Sequence, residues 1–340
     1  MIKKSSLIFS FLIRFRLRVL KFEKTEESKL KTNLKLALIL LLPLFANSLI
    51  QAQQTVQDTL SCFAPLTGFI SRIYPFNQPP FFFLIRTNSE ALRIGDIKGD
   101  IGVTDNMALR SYLTFSIQNF SQISQQDSQV FINSAKIRLG NLGSMGNGVG
   151  GIYPIFNNNP NLPLVADHID FGTVLDTTDW DAGEIGNNQT ITPETAIVMD
   201  SVDINAIYTE FDVKNSLQYD IDLNKNLSQY RLAFSSFETD NDFFSDNLIF
   251  RGAYLSIPEN LRPKLILNYT VYKFGDTDFD GFVTELDVQL VLEKIVNNST
   301  LSDLDLKVGD VDGNGKLQVN DASLILQYAN GLITKFPVEN

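Results

Sequence analysis

The sequence predicts a mostly β protein, a jelly-roll-like sandwich over residues 84–272, followed at 273–340 by a small all-α module of two loop–helix repeats. Three observations carry this. Between 84 and 272, short runs of alternating or β-branched residues recur between turn clusters, and only Ala206–Leu217 competes as a helix of ten or more residues. After 273 the period changes, and a twelve-residue pattern occurs twice, 34 residues apart, each copy running into a helical stripe. The composition is that of a folded chain: 340 residues, 44% apolar and 20% charged, with 26 Phe. That is material for one domain of about 200 residues and a small one.

The N-terminus reads as an address. Lys29, Lys31 and Lys35 precede the apolar run Leu36–Ala46, and small residues follow at Ala46-Asn47-Ser48 and at Ala52. This is the pattern of a secretory signal peptide within an N-terminal extension of residues 1–52. The run Leu34–Ile50 contains Pro43 and falls short of the ~20 residues a membrane-spanning helix needs, so no stable membrane span is expected. Residues 1–52 hold ten Lys/Arg against three Glu; the remaining 288 hold 18 basic and 36 acidic side chains. An acidic body of that kind is repelled by phosphate, which excludes nucleic acid as a partner, and a secreted or cell-surface location follows. Cys62 is the one cysteine, so no disulfide forms within the chain and the thiol reads as buried or tolerated.

Residues 53–83 read as an irregular lead-in, because Pro75, Pro79 and Pro80 alternate with aromatics. The strand candidates that follow are Phe82–Arg86, Ala91–Ile94, Ser111–Ile117, Ser134–Leu139, Ile169–Val174, Ile204–Tyr208, Gln229–Ser235, Leu248–Ile257 and Leu265–Tyr272. Gly140–Asn161 is Gly/Asn-rich and reads as a long exposed loop. The order of Leu92–Gly95, Arg110–Phe115, Ile132–Leu139, Tyr230–Ser235 and the closing Arg262-Pro-Lys-Leu-Ile-Leu-Asn-Tyr269 is similar to DNRLRE-type β-sandwich domains. These are extracellular modules related to disaggregatase and to a carbohydrate-binding family. The resemblance implies a polysaccharide or surface polymer as ligand.

Four further patterns invite a site. Gly95–Gly102 imitates a cation loop but places Lys98, Ile101 and Met107 at positions that should be oxygen, glycine and oxygen; it reads as a hairpin turn. Gly146–Gly151 lacks the Lys-Ser/Thr of a phosphate cradle and reads as a loop. His168, the single histidine, excludes two-histidine metal sites and reads as a strand-edge residue beside Asp167. Asp176, Asp179, Asp181 and Glu184 surround Trp180, and Asp240, Asp242 and Asp246 form a similar group. Such clusters perform glycoside hydrolysis, or hold a further structural calcium in the sandwich, or sit beside an aromatic that stacks on sugar, or are only solvated turns.

The two C-terminal loops are far more specific. Counted from Asp276 and Asp310 as position 1, both copies carry oxygen side chains at positions 1, 3, 5, 9 and 12. Both have glycine at 6 (Gly281, Gly315) and an apolar residue at 8 (Val283, Leu317). Calcium asks this of a twelve-residue loop: six to eight oxygens at about 2.3–2.6 Å, and a glycine where the chain turns sharply. Position 7 (Phe282, Lys316) offers only its backbone carbonyl. Helical stripes follow, and the 34-residue offset maps Leu290 onto Leu324, Val291 onto Ile325 and Leu292 onto Leu326. Pro263 and the strand-like Leu265–Tyr272 precede the first loop, so no helix is expected to enter either one.

Loop-then-helix, twice, resembles a type I dockerin over residues 273–335, the calcium-binding module that plugs into a cohesin domain on a scaffold protein. Carried over position by position, the resemblance implies two Ca2+ ions. One is held by Asp276, Asp278, Asp280, Phe282, Thr284 and Asp287, the other by Asp310, Asp312, Asn314, Lys316, Gln318 and Asp321. Positions 10 and 11, which read the cohesin, are Glu285-Leu286 and Val319-Asn320. Tyr272 or Phe274 is expected to pack near Phe336-Pro337, closing the module. The function expected is calcium-dependent attachment, without catalysis, of a glycan-binding sandwich to a scaffold. A dockerin-borne polysaccharide hydrolase or lyase, or a structural surface or matrix protein, are the alternatives.

Overall fold

The structure, a computed structural model, describes residues 55–74, 82–97, 106–124, 128–145, 164–182, 197–198, 202, 205–234, 245 and 247–339. The N-terminal extension, Lys98–Gly102, the Gly146–Gly151 loop, Glu184 and the Asp240, Asp242 and Asp246 group lie outside the described residues.

Among the described residues twelve strands form one antiparallel, hydrogen-bonded network: β1 Thr55–Ser61, β2 Gly68–Tyr74, β3 Phe82–Thr87, β4 Ala91–Ile97, β5 Asn106–Ser116, β6 Gln129–Met145, β7 Leu164–His168, β8 Ile197–Val198, β9 Tyr208–Asp212, β10 Leu227–Phe234, β11 Asn247–Arg251 and β12 Lys264–Tyr272. Two helices punctuate it, α1 Gln118–Ser124 and α2 Lys214–Asp222; three follow it, α3 Glu285–Val296, α4 Asp303–Gly309 and α5 Val319–Ala329. The protein is therefore mostly β with a helical C-terminus.

The strand order is β1-β12-β6-β11-β4-β5-β10-β7-β8, with β2 and β3 hydrogen-bonded beyond β5, and β9 on β6. The long β6 is the hub. Its first half pairs β12 (Leu265 opposite Ile137, Leu267 opposite Ala135) and its last residues pair β11 (Leu248 opposite Ser144). Opposite Asn268 and Tyr269, β6 carries one extra residue, Asn133, a bulge that bends β6 against β12. Strands distant along this path share one core: Leu113 and Phe115 of β5 meet Ile137 and Leu139 of β6 and Leu265 and Leu267 of β12, all buried. Cys62, just past β1, bridges to Phe115, joining one end of the path to its middle. Burial pushes the Cys62 thiol up to about 12, which keeps it neutral and a poor nucleophile.

β5 is buried on both faces. On the side opposite Leu113 and Phe115, Ala108 and Tyr112 join Leu66, Ile70, Phe171 and Trp180 in a second cluster.

Several elements differ from the sequence expectation. Residues 55–74, within the stretch read as irregular, contain β1 and β2. β1 pairs only β12, and an edge strand needs few apolar residues, so its pattern is faint. The strand expected at Ile169–Val174 lies at Leu164–His168 instead; Gly172, at φ +73°, turns the chain there while Ile169 and Phe171 fill the second cluster from irregular backbone. The strand expected at 204–208 runs over Tyr208–Asp212, and the competing helix at 206–217 resolves into that strand and α2. Thr209 and Phe211 point inward at strand spacing. The first six residues of the supposed Gly140–Asn161 loop continue β6.

A helix does enter the second loop. α4 begins at the capping box of Ser302 and Asp305 and ends at Gly309, with Asp310 as its C-cap. The Ser-x-x-Asp signal was present in the sequence. α3 and α5 pack on each other through Val288, Val291, Ala322 and Ile325, with Val311 and Phe336 completing a separate small core. The expected closing contact forms through Phe274, which packs against that core; Tyr272 turns instead to Leu304 and Val308 of α4. Phe336 stacks on Tyr328 at 4.6 Å between centroids. It also fills the space a side chain at Gly275 would need, its ring 2.9 Å from that residue's absent Cβ. Among the described residues no helix is long and apolar enough to cross a membrane.

Replacing Phe115 by Ala, in a core shared by three distant strands, is expected to cost about 3–5 kcal/mol. Leu255→Ala, at a 78% exposed position, should stay within about 0.5 kcal/mol. Urea unfolding of the two variants checks both values.

Candidate metal centre

Each C-terminal loop brings three carboxylates to one point. Oxygens of Asp276, Asp278 and Asp287 lie within 4.8 Å of one another, and so do those of Asp310, Asp312 and Asp321. The local chain dictates this. Gly281 and Gly315 take left-handed φ of +91° and +80°, which tightens each loop enough for position 12 to return beside positions 1 and 3. Helices α3 and α5 then start at positions 9 and 10, so Asp287 and Asp321 stand in their first turns.

Those two aspartates do double duty. Asp287 Oδ2 accepts from Thr284 N–H (2.7 Å), and Asp321 Oδ2 from Gln318 N–H (2.8 Å), closing capping boxes. The other oxygen of each reaches back to position 2: Asp287 Oδ1 accepts from Thr277 N–H (2.6 Å), Asp321 Oδ1 from Val311 N–H (3.1 Å). Asp276 accepts from Asp280 and Gly281 N–H (3.1 and 2.9 Å), and Asp310 accepts from Asn314 and Gly315 N–H (3.1 and 2.6 Å). The two loops have the same wiring, 34 residues apart.

The remaining sequence-predicted positions stand around these clusters. Asp280 Oδ1 accepts from Phe282 N–H (2.8 Å), and Asn314 Oδ1 from Lys316 N–H (3.0 Å). Thr284 Oγ1 accepts from Leu286 N–H (3.2 Å), acting as N-cap, and Gln318 is the N-cap of α5. The Phe282 side chain is 71% exposed, leaving only its backbone for the site. Three contributors were not read from the sequence. The Thr277 hydroxyl donates to the Asp287 carbonyl (3.2 Å), Lys273 Nζ to the Gly281 carbonyl (3.1 Å), and Asn320 Nδ2 to Asp312 Oδ2 (2.8 Å). Only Asn320 had been singled out, and for a different role.

Electrostatics make the arrangement costly for the protein alone. Asp276, Asp287 and Asp321 are all but inaccessible to water. Among the described residues no Lys or Arg pairs with any of the six carboxylates. Burial, with Asp287, Asp278 and Asp280 close by, pushes Asp276 up to about 6 against its backbone hydrogen bond to Gly281. Asp278 and Asp321 are raised as well, chiefly by burial. Asp312, open to solvent, is lowered by Asn320. Like charges gathered in this way call for a cation with oxygen preference, and the donor set fits a hard divalent ion.

The other candidates are absorbed by the fold. Trp180 is fully buried, so it cannot stack on a sugar at the surface. Arg110 lies over its ring at 4.5 Å and donates to its carbonyl, which also accepts from Arg231 Nη1 (2.8 Å). Asp176 and Asp179 cap the 3-10 turn Thr177–Asp181 reciprocally. His168 is buried rather than at an edge position: its Nε2 sits 2.7 Å from Asp220 Oδ2, its ring stacks on Tyr230, and Lys225 Nζ lies 3.1 Å from Asp220 Oδ1. Among the described residues the two C-terminal clusters are the only groups of three or more such ligands.

No family model matches the chain, and no curated protein matches it. Among solved structures, one similar chain comes from a complex of the third cohesin of ScaC with the ScaB dockerin from Acetivibrio cellulolyticus, displaying a type I interaction. It is 37% identical over 19% of this chain and 93% of that chain, with a TM-score of 0.18.

The raised Asp276 sets a pH dependence with a definite sign. Its folded-state value, about 6, exceeds the ordinary 3.8, so the metal-free fold holds a proton that the unfolded chain has already released. Its contribution is full below about pH 4 and is lost as pH rises through about 6. Divalent-ion affinity should move oppositely, falling as pH drops below about 6, because proton and ion compete for one carboxylate. Calorimetric ion titrations at pH 5 and 7.5 check this.

Proposed function

We propose that residues 273–335 are a dockerin whose two loops each bind one calcium ion, and that the module attaches the chain to a cohesin domain of a scaffold protein. The observation that carries this is the duplicated wiring. Twelve-residue loops in register, each converging three aspartates and each opening a helix, place two like sites under one paired-helix core. In each site the ligands would be the position 1, 3, 5, 9 and 12 side chains and the position 7 carbonyl. Calcium would neutralise the converging carboxylates and fix α3 and α5 against each other.

The paired helices leave apolar side chains in solvent: Leu292 and Val296, one turn apart on α3, and Val319 and Leu326, two turns apart on α5. Small proteins leave such residues uncovered where a partner docks. Glu285-Leu286 and Val319-Asn320 begin the two helices at the positions that would read the cohesin. The β region is then the cargo. The proposal includes its being a secreted, non-catalytic jelly-roll sandwich that holds a polysaccharide or surface polymer. The absorption of His168, Asp176 and Asp179 into structural contacts supports the absence of catalysis.

A panel of immobilised cohesins probed with the full chain tests the docking. Binding by at least one cohesin in calcium, its loss in chelator, and a loss of about tenfold or more in Leu292→Asp/Leu326→Asp are expected, since a charge replaces apolar contact area. Capture that is indifferent to calcium would contradict the reading.

A further inference from the structure

The two loops differ at one position in a way no ion requires. Position 4 adopts left-handed φ in both, +77° at Gly313 and +58° at Phe279. Glycine accepts that backbone freely; for a bulky aromatic residue it is disfavoured. What the Phe279 side chain touches accounts for its presence. The ring packs against the cluster of Leu304 and Val308 of α4, Phe131 of β6 and Tyr272 of β12, which meets the module's own core only through Phe274.

That cluster is a seam between the β region and the calcium module, and both loops are anchored to it. Loop 1 is held by Phe279 and by only three residues, Lys273–Gly275, after the end of β12. Loop 2 starts where α4 ends, and α4 lies on the seam. Gly275 N–H donates to the Val308 carbonyl (2.8 Å), tying the entry of loop 1 to the exit of α4. At the rim Lys307 Nζ meets Asp222 Oδ2 of α2 at 3.1 Å. A flexible tether would show none of these contacts. Here the loop backbone that gathers the carboxylates also presents Phe279 to the seam.

We infer that the β region is a built-in ligand of the calcium-loaded module: ordering of the loops by calcium tightens the Phe279–α4 seam, and the seam in return raises calcium affinity. The inference rests on the calcium reading above. Coupling of this kind is reciprocal, so calcium must stabilise the β region by the factor through which the β region strengthens calcium binding.

The chain supplies its own probe. Trp180 is the one tryptophan, and it lies in the β region's second cluster, outside the seam. Its fluorescence therefore reports unfolding of the β region alone. In the full chain, calcium is expected to raise the Trp180-reported midpoint by about 4 °C or more over chelator. Phe279→Gly copies the residue loop 2 already uses, so it relieves the backbone while removing the ring. This variant should lose most of that rise and bind calcium about fivefold or more weakly. Lys307→Glu, at an exposed rim position, should move both readouts the same way by less. Two ions bound by calorimetry with an unmoved Trp180 midpoint and unchanged affinity in Phe279→Gly would overturn the inference while leaving the calcium reading intact. No calcium bound by the wild-type chain would remove both.

Discussion

Six aspartates drawn into two tight groups, with no lysine or arginine among the described residues to answer them, are the constraint on which the C-terminal part of this protein turns. What offsets their mutual repulsion is mainly backbone N–H groups, shared with helix caps and loop turns, with the Asn320 amide and the Thr277 and Thr284 hydroxyls beside them. The loops nevertheless hold Asp287 and Asp321 fully buried. Hydrogen bonding alone leaves Asp276 half-way to neutrality near pH 6. A divalent cation would resolve this at both sites at once, and in the proposed reading it is occupancy of the loops that would fix the two helices against each other.

The same constraint extends into the β region because there is almost no chain between them. β12 is a central strand of the network, paired on both sides by β1 and β6, and its end delivers the first loop directly. α4 rests against β6 and β12 before it delivers the second. The protein thus ties a strand paired on both sides to the first aspartate cluster through three residues, Lys273–Gly275. An attachment module so mounted would present its cargo in a defined orientation.

Much of this was legible in the residues. The loop pattern named its own cluster members, because the ligand spacing is local and the glycines at position 6 are obligatory. Strands with strong alternation, such as those containing Leu113 and Leu265, stood out as well. What stayed hidden was long-range. Trp180, set among acids, looked like a surface residue. Its burial depends on Arg110 and Arg231, brought from two other strands to its ring and carbonyl. His168 looked peripheral until α2 placed Asp220 against it. β1 was faint because an edge strand covers one neighbour only. Position 4 of a cation loop carries no sequence rule, so Phe279 was silent until its backbone and its neighbours were both in view.

The central claim is that two specific cation sites hold the C-terminal module in this arrangement. The most direct measurement is the calcium stoichiometry of the full chain by calorimetry, beside Asp276→Ala, Asp310→Ala and the double variant. Two ions per chain, one in each single variant and none in the double variant, is the result the account predicts. Binding that survives the double variant, or an unaltered module in chelator as judged by its helical circular dichroism, would contradict it.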